Sequence, residues 1–213
     1  MKKRFWKIEY SITTIVIFAI VLLLTPTSMF ITSKEAAYIA KWNETYAKAD
    51  YAFSAMLAQA NSDLVKGLKS AKTEEEKEMY MMELIKPYLR LKEHEYLFRR
   101  YTQHYMDGRK VRKHDKYYFE NLYTADNGHI VGIKDIPNED ENQSGFIMMF
   151  DMNGIIGPNT WGKDIFGLNI YPNMGIKAIG HNWTMDDLKR DCSAQGTGIS
   201  CSHYYRIGGE FNE

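Results

Sequence analysis

The chain has 213 residues, and its 27 Lys plus Arg balance 27 Asp plus Glu, so the formal charge is zero. A mean hydropathy of −0.43 is too polar for a protein that crosses a membrane many times, and 15 Tyr, 10 Phe and 4 Trp are too many aromatics for a chain that stays unfolded. Zero balance also speaks against a general nucleic-acid coat, which needs surplus positive charge.

The zero conceals a division along the chain. Residues 1–34 carry Lys2, Lys3, Arg4, Lys7 and Lys34 against the single acid Glu9, which leaves the remainder mildly acidic. The basic start is followed by an apolar run over 12–31. About 20 apolar residues span a bilayer as a helix. The run therefore predicts a single membrane span, and the basic flank places the N-terminus in the cytoplasm and the rest outside. Three readings stay open. One is a cleaved secretory signal, against which Met29 and Phe30 stand where small residues are wanted. Another is an uncleaved anchor. In the third, Glu9 has a role of its own, because a carboxylate at the edge of an apolar span is costly unless it is paired.

Phe5-Trp6-Lys7-Ile8-Glu9-Tyr10, running into the apolar stretch, resembles the start of type IV pilins and type II secretion pseudopilins. Arg4, Trp6 and Lys7 stand where that family has Gly, Thr and Leu. The resemblance implies that Phe5 is the mature, methylated first residue. It also implies that Glu9 meets a neighbouring subunit's amino group in a filament and that Pro26 kinks the helix. It further implies a bacterial inner-membrane protein with a periplasmic or extracellular C-terminal domain. Its partners would be copies of itself or other pilin-like subunits, met through the N-terminal helix.

Beyond Lys34, Ile39, Trp42, Tyr46, Ala49, Phe53 and Met56 recur at three- and four-residue intervals. That is one face of an amphipathic helix over 35–60, read as a seam against a sheet. Thr73-Glu74-Glu75-Glu76 has the pattern of a capping box. It opens a helical region expected over 73–105, interrupted or restarted at Pro87. Arg99 to Tyr118 interleaves basic residues with tyrosines, a composition that grips single-stranded nucleic acid in some proteins. A solvated basic face is the favoured reading, so nucleic acid is not expected as a partner.

From Lys116 the period shifts to two. A hairpin is expected from Tyr117 to Ile136 around Asp126-Asn127-Gly128, then strands at Phe146–Phe150, Ile165–Tyr171 and near Ile176–Ile179. Short turns between consecutive strands imply an antiparallel meander.

The segment from Asp151 to Phe166 is the most informative. Asp151, Asn153 and Asp164 bring oxygen ligands into a glycine-rich loop, as calcium loops do. Gly162 stands where an EF-hand has its bidentate Glu. Asx-turns that satisfy the backbone of a long loop remain the alternative. The spacing Asp-x-Asn-Gly-x-x-Gly-Pro-Asn-x-x-Gly-x-Asp-x-Phe is similar to a loop of pilin-like proteins, and the resemblance implies calcium held by Asp151, Asn153 and Asp164.

Cys192 and Cys201 are the only cysteines and flank a short loop. On the outside of a membrane a disulfide is the default pairing. A metal site with His203 is the weaker alternative. The stretch after Cys201 resembles the closing strand of the same group, with Phe211 as its expected aromatic. No nucleophile elbow, phosphate loop or zinc-binding His pair is present, and the six histidines are scattered, so no enzyme is expected.

Together these readings predict an α+β, pilin-like fold. A long N-terminal helix, transmembrane and then amphipathic, packs on a C-terminal antiparallel meander, with extra helices in the middle. The basic leader and span occupy 1–34, and the pilin-like domain occupies 35–213, with its β-region over 116–213. The function expected is that of a membrane-anchored structural subunit or minor component of a type IV pilus or type II secretion filament. The alternative is a non-assembling anchored binding or adhesion protein of the same shape.

Overall fold

The computed structural model describes residues 12–20, 27–60, 68, 70–93, 101–136, 145–171 and 175–210. Phe5, Glu9, Pro26 and Phe211 lie outside them. The chain divides into two compact units, Met1–Ala37 and Tyr38–Glu213.

In the first unit, residues 12–20 are helical, and α1 begins at Thr27 and runs to Ala60. No helix among the described residues is long and apolar enough to cross a membrane. The stretch 12–20 rises about 13 Å at 1.5 Å per residue, under half of the ~30 Å hydrocarbon core. α1 carries Lys34, Glu35, Lys41 and Glu44 soon after it begins. This corrects the expectation of a single-pass transmembrane helix. It also corrects the inner-membrane location, and the cytoplasmic and periplasmic sides, that rested on that helix.

The second unit is α+β. Its six-stranded sheet has the order β1 to β6, every neighbouring pair antiparallel. The strands are β1 (Lys92–Glu93), β2 (Leu122–Thr124), β3 (Ile130–Ile136), β4 (Gly145–Asp151), β5 (Ile165–Tyr171) and β6 (Gly175–Ala178). Ala125 N donates to His129 O at the β2–β3 turn, and Gly128 there has φ 81°, a left-handed value that favours glycine. The hairpin is shorter than expected on its first side, since 117–121 do not form strand.

β4 is buried on both faces, because both sets of its alternating side chains are apolar. Phe146, Met148 and Phe150 join one cluster with Trp42, Phe53 and Met56 of α1. Met81, Met82 and Ile85 of α2 (Glu74–Leu89) belong to that cluster too. Ile147 and Met149 point the other way and meet Val111, Phe119, Trp161 and Ile179. Gly167 in β5 makes room for this second cluster, since a Cβ there would lie 2.6 Å from Ile179 Cδ1 and 3.0 Å from Trp161 Cζ3.

The seam of α1 is the one its spacing implies. Trp42 and Ala49 are fully buried and Phe53 and Met56 nearly so. The Trp42 ring stacks on Phe166 at 5.4 Å, and its Nε1 donates to Ser202 O at 2.8 Å. Tyr46 Oη donates to Ile176 O at 3.3 Å.

The Thr73 cap is present: its hydroxyl accepts from Glu76 N at 3.1 Å, while the Glu76 carboxylate accepts from Lys72 N at 2.6 Å. Pro87 sits inside α2 without breaking it. The helix ends at Arg90, whose left-handed φ of 51° turns its N–H back to Lys86 O. Tyr101 to Tyr105 is not helical, which corrects the longer helical region expected to 105.

The C-terminal segment also departs from expectation. It forms α3 (Met185–Asp191), α4 (Cys201–Tyr204) and a 3₁₀ turn (Tyr205–Ile207) in place of a closing strand. Thr184 explains the start of α3, because its hydroxyl accepts from Asp187 N at 3.2 Å. Cys192 and Cys201 are joined, with Cα atoms 5.3 Å apart. A loop of this length constrains the unfolded chain by about 2–3 kcal/mol. Replacing both cysteines by Ala is expected to lower unfolding free energy by that amount in a denaturant titration, and a double variant of unchanged stability would contradict it.

Candidate functional site

β4 ends at Asp151 and β5 starts at Ile165, and these two residues are register partners. The loop between them leaves and returns at one place, so Asp151 and Asp164 stand side by side at its two feet. Met152 N donates to Asp164 O at 2.8 Å and closes the neck. Both aspartates are fully buried.

Each carboxylate organises backbone. Asp164 accepts from Thr160 N at 2.6 Å and from Asn159 N at 2.9 Å. Asp151 accepts from Asn153 N at 3.1 Å, an Asx-turn. Asp151 Oδ2 also accepts from the Tyr101 hydroxyl at 2.5 Å. The Asn159 amide, oriented so that both its atoms are satisfied, donates to Asp151 Oδ2 and to Ile156 O, each at 3.2 Å. Asn153 Nδ2 faces Gly157 O at 3.3 Å and the Tyr38 hydroxyl at 3.4 Å. Asn153 Oδ1 is buried and lacks a hydrogen-bond partner. Gly154 takes φ 74°, and a Cβ there would lie 2.8 Å from Gly128 O, so the loop is closed down on the β2–β3 turn.

Two carboxylates this deep oppose their own ionisation. Burial first, and the negative charge of Asp164 second, push Asp151 up to about 8. Burial likewise raises Asp164, against the two backbone N–H groups that favour its charged form. Tyr101 is driven well above its ordinary value, first by burial and then by Asp151, and so stays a donor. Near neutral pH without a cation, Asp151 is held largely in its neutral form.

The structure thus brings together all three oxygen-bearing side chains singled out from the sequence: Asp151, Asn153 and Asp164. The Asx-turn bonds are real, and the donor set is oxygen only, with one acceptor, Asn153 Oδ1, unused. Among the described residues no group of three or more His, Cys, Asp or Glu gathers, so the acid component is this pair.

Tyr101 and Asn159 were missed as members. Tyr101 reads from sequence as part of a basic, tyrosine-rich stretch, and only the tertiary fold turns it onto Asp151. Arg99 and Arg100 of that stretch lie outside the described residues. Four of its other members are occupied within the fold. The Tyr105 hydroxyl donates to Asp115 at 3.3 Å, and Tyr117 lies edge-on to Trp161 at 5.6 Å. Arg109 pairs with Asp107 at 2.6 Å, and Lys113 pairs with Glu120 at 2.8 Å.

No family model matches this chain, and it shows no significant similarity to a curated protein or to a solved structure.

Proposed function

We propose that this chain is a pilin-like structural subunit, a component of a filament of the type IV pilus or type II secretion kind. The observation that carries the reading is the helical stretch 12–20, where Ile15 and Phe18 are 68% and 67% exposed and Ile12, Val16, Ile17 and Ile20 are exposed as well. Apolar side chains spread around a helix need a cover, and copies of the same helix packed side by side supply one. Further support comes from α1 seated on an antiparallel sheet and from the Asp151–Asp164 loop. Under this reading Phe5 and Glu9 act in assembly, Glu9 offsetting a neighbour's positive charge. Asp151, Asn153 and Asp164 hold calcium, which neutralises the two buried carboxylates and fixes the loop.

Sedimentation velocity of the full chain tests assembly. Species of many subunits that grow with concentration are expected. Phe18→Asp is expected to weaken association at least about tenfold, since burying an unpaired carboxylate costs more than the ~1.4 kcal/mol this represents. A chain that stays monomeric would overturn the proposal. It would leave the second reading, a non-assembling binding or adhesion protein, which the open concavity beside Trp183 favours.

A further inference from the structure

The turn after β6 and the loop tied by the disulfide enclose an open concavity of about 790 Å³, within the size range of small-ligand sites, about 300–1,000 Å³. Its lining shares no residue with the Asp151–Asp164 loop. Trp183 is the large apolar surface in it, 43% exposed. Around it stand the amides of Asn182 and Gln195 and the hydroxyl of Ser193.

Of the lining's charged groups, Arg190 and Asp187 pair with each other, and Asp191 is held by hydrogen-bond donors. Arg190 donates to Asp187 in an ion pair, and Asp187 also accepts from the Thr184 hydroxyl at 2.7 Å. Asp191 is fully engaged: it accepts from Thr197 N at 2.9 Å, Thr197 Oγ1 at 2.5 Å and Ser200 N at 2.8 Å. The lining has no surplus cation to draw a phosphate, and its one surplus acid, Asp191, is already engaged by these three donors.

Its frame is firm. Trp183 N donates to Gly180 O at 2.9 Å and Gly198 N to Asp191 O at 3.0 Å. A Cβ on Gly196 would fall 2.0 Å from Asp191 O, so the loop lies directly on the end of α3. The Cys192–Cys201 bond ties the same segment at its base. A preformed site loses little entropy on binding.

A flat aromatic face fringed by neutral amides and hydroxyls fits a ligand with an apolar face and a hydroxyl-rich edge. A pyranose ring has that form: its C–H face covers an indole, and its hydroxyls reach the amides and carboxylate beside it. We propose that this concavity binds a neutral oligosaccharide, with Trp183 as the stacking platform and Asn182, Gln195 and Asp187 as hydrogen-bonding partners. The site stands independently of assembly through residues 12–20.

Ligand-observed saturation-transfer NMR on the full chain tests it, with triacetylchitotriose, cellotriose and maltotriose as probes and ATP as the charged competitor class. At least one trisaccharide is expected to bind at millimolar concentration, with contacts strongest at its C–H protons. Trp183→Ala should reduce affinity about tenfold or more, while Trp183→Phe, which keeps an aromatic face, should retain most of it. Asn182→Ala, a change at an exposed position, should weaken binding severalfold with circular dichroism unchanged. The proposal is overturned if no trisaccharide of the three binds, if Trp183→Ala leaves binding intact, or if ATP binds in their place.

Discussion

Without divalent cations, Asp151→Asn is expected to gain stability relative to the natural chain as pH rises. Asp151 titrates near 8 in the folded protein and near 3.9 in an unfolded chain. Between those values the native state holds more protons than the unfolded state. The stabilising effect of this group is therefore complete below about pH 4 and is lost as pH rises through about 8. Each pH unit is worth about 1.4 kcal/mol, so the difference between variant and natural chain should grow by roughly 2–3 kcal/mol from pH 5 to pH 7.

The difference matters more than either curve alone, because His129 works in the opposite direction. Its burial lowers it to about 4, so it contributes stability above its unfolded value of about 6.5 and loses it as pH falls. Urea titrations at several pH values in chelator give the comparison, and a difference that does not move with pH would refute the assignment. Calcium added at pH 8 should raise the melting temperature of the natural chain and have much less effect on Asp151→Asn. An unmoved melting temperature in the natural chain would remove calcium from the loop while leaving the proton equilibrium standing.

Trp42→Ala is expected to cost about 3–5 kcal/mol, a large part of the ~5–15 kcal/mol that holds a domain together. The indole fills the space between α1 and the sheet, stacked on Phe166 and near Phe150, and its N–H satisfies the buried Ser202 carbonyl. Removing it leaves a cavity and an orphaned acceptor together. Trp42→Phe keeps most of the volume and loses only the hydrogen bond, so it should cost about 1–2 kcal/mol. Denaturant titration separates the two. Hydrogen exchange in Trp42→Ala should quicken first along the α1 seam, whereas uniform quickening over the sheet would show that α1 is not the weakly held element.

The apolar seam of α1, the Thr73 cap, the glycine turn and the three long strands β3, β4 and β5 were legible in sequence because each depends on local periodicity or local capping. The sheet's second apolar cluster was not, since Phe119, Trp161 and Ile179 are far apart in the chain and show no shared period. The C-terminal helices α3 and α4 are too short to display one. Thr184 and Asp187 were the available signal for α3, a capping pair three residues apart. The membrane span failed as an expectation because no helix among the described residues is both long and apolar enough to cross a membrane.

The zero net charge, the disulfide pairing open to two lone cysteines, and the approach of Asp151, Asn153 and Asp164 through a single loop all follow from the order of residues. The state of those carboxylates does not. It arises because β4 and β5 pair so that Asp151 faces Ile165, which sets two acids next to each other under cover of Tyr101. Their burial comes from packing between segments distant in sequence, Tyr101 among them. Desolvation depends on everything that surrounds a group, and only the tertiary structure decides what that is.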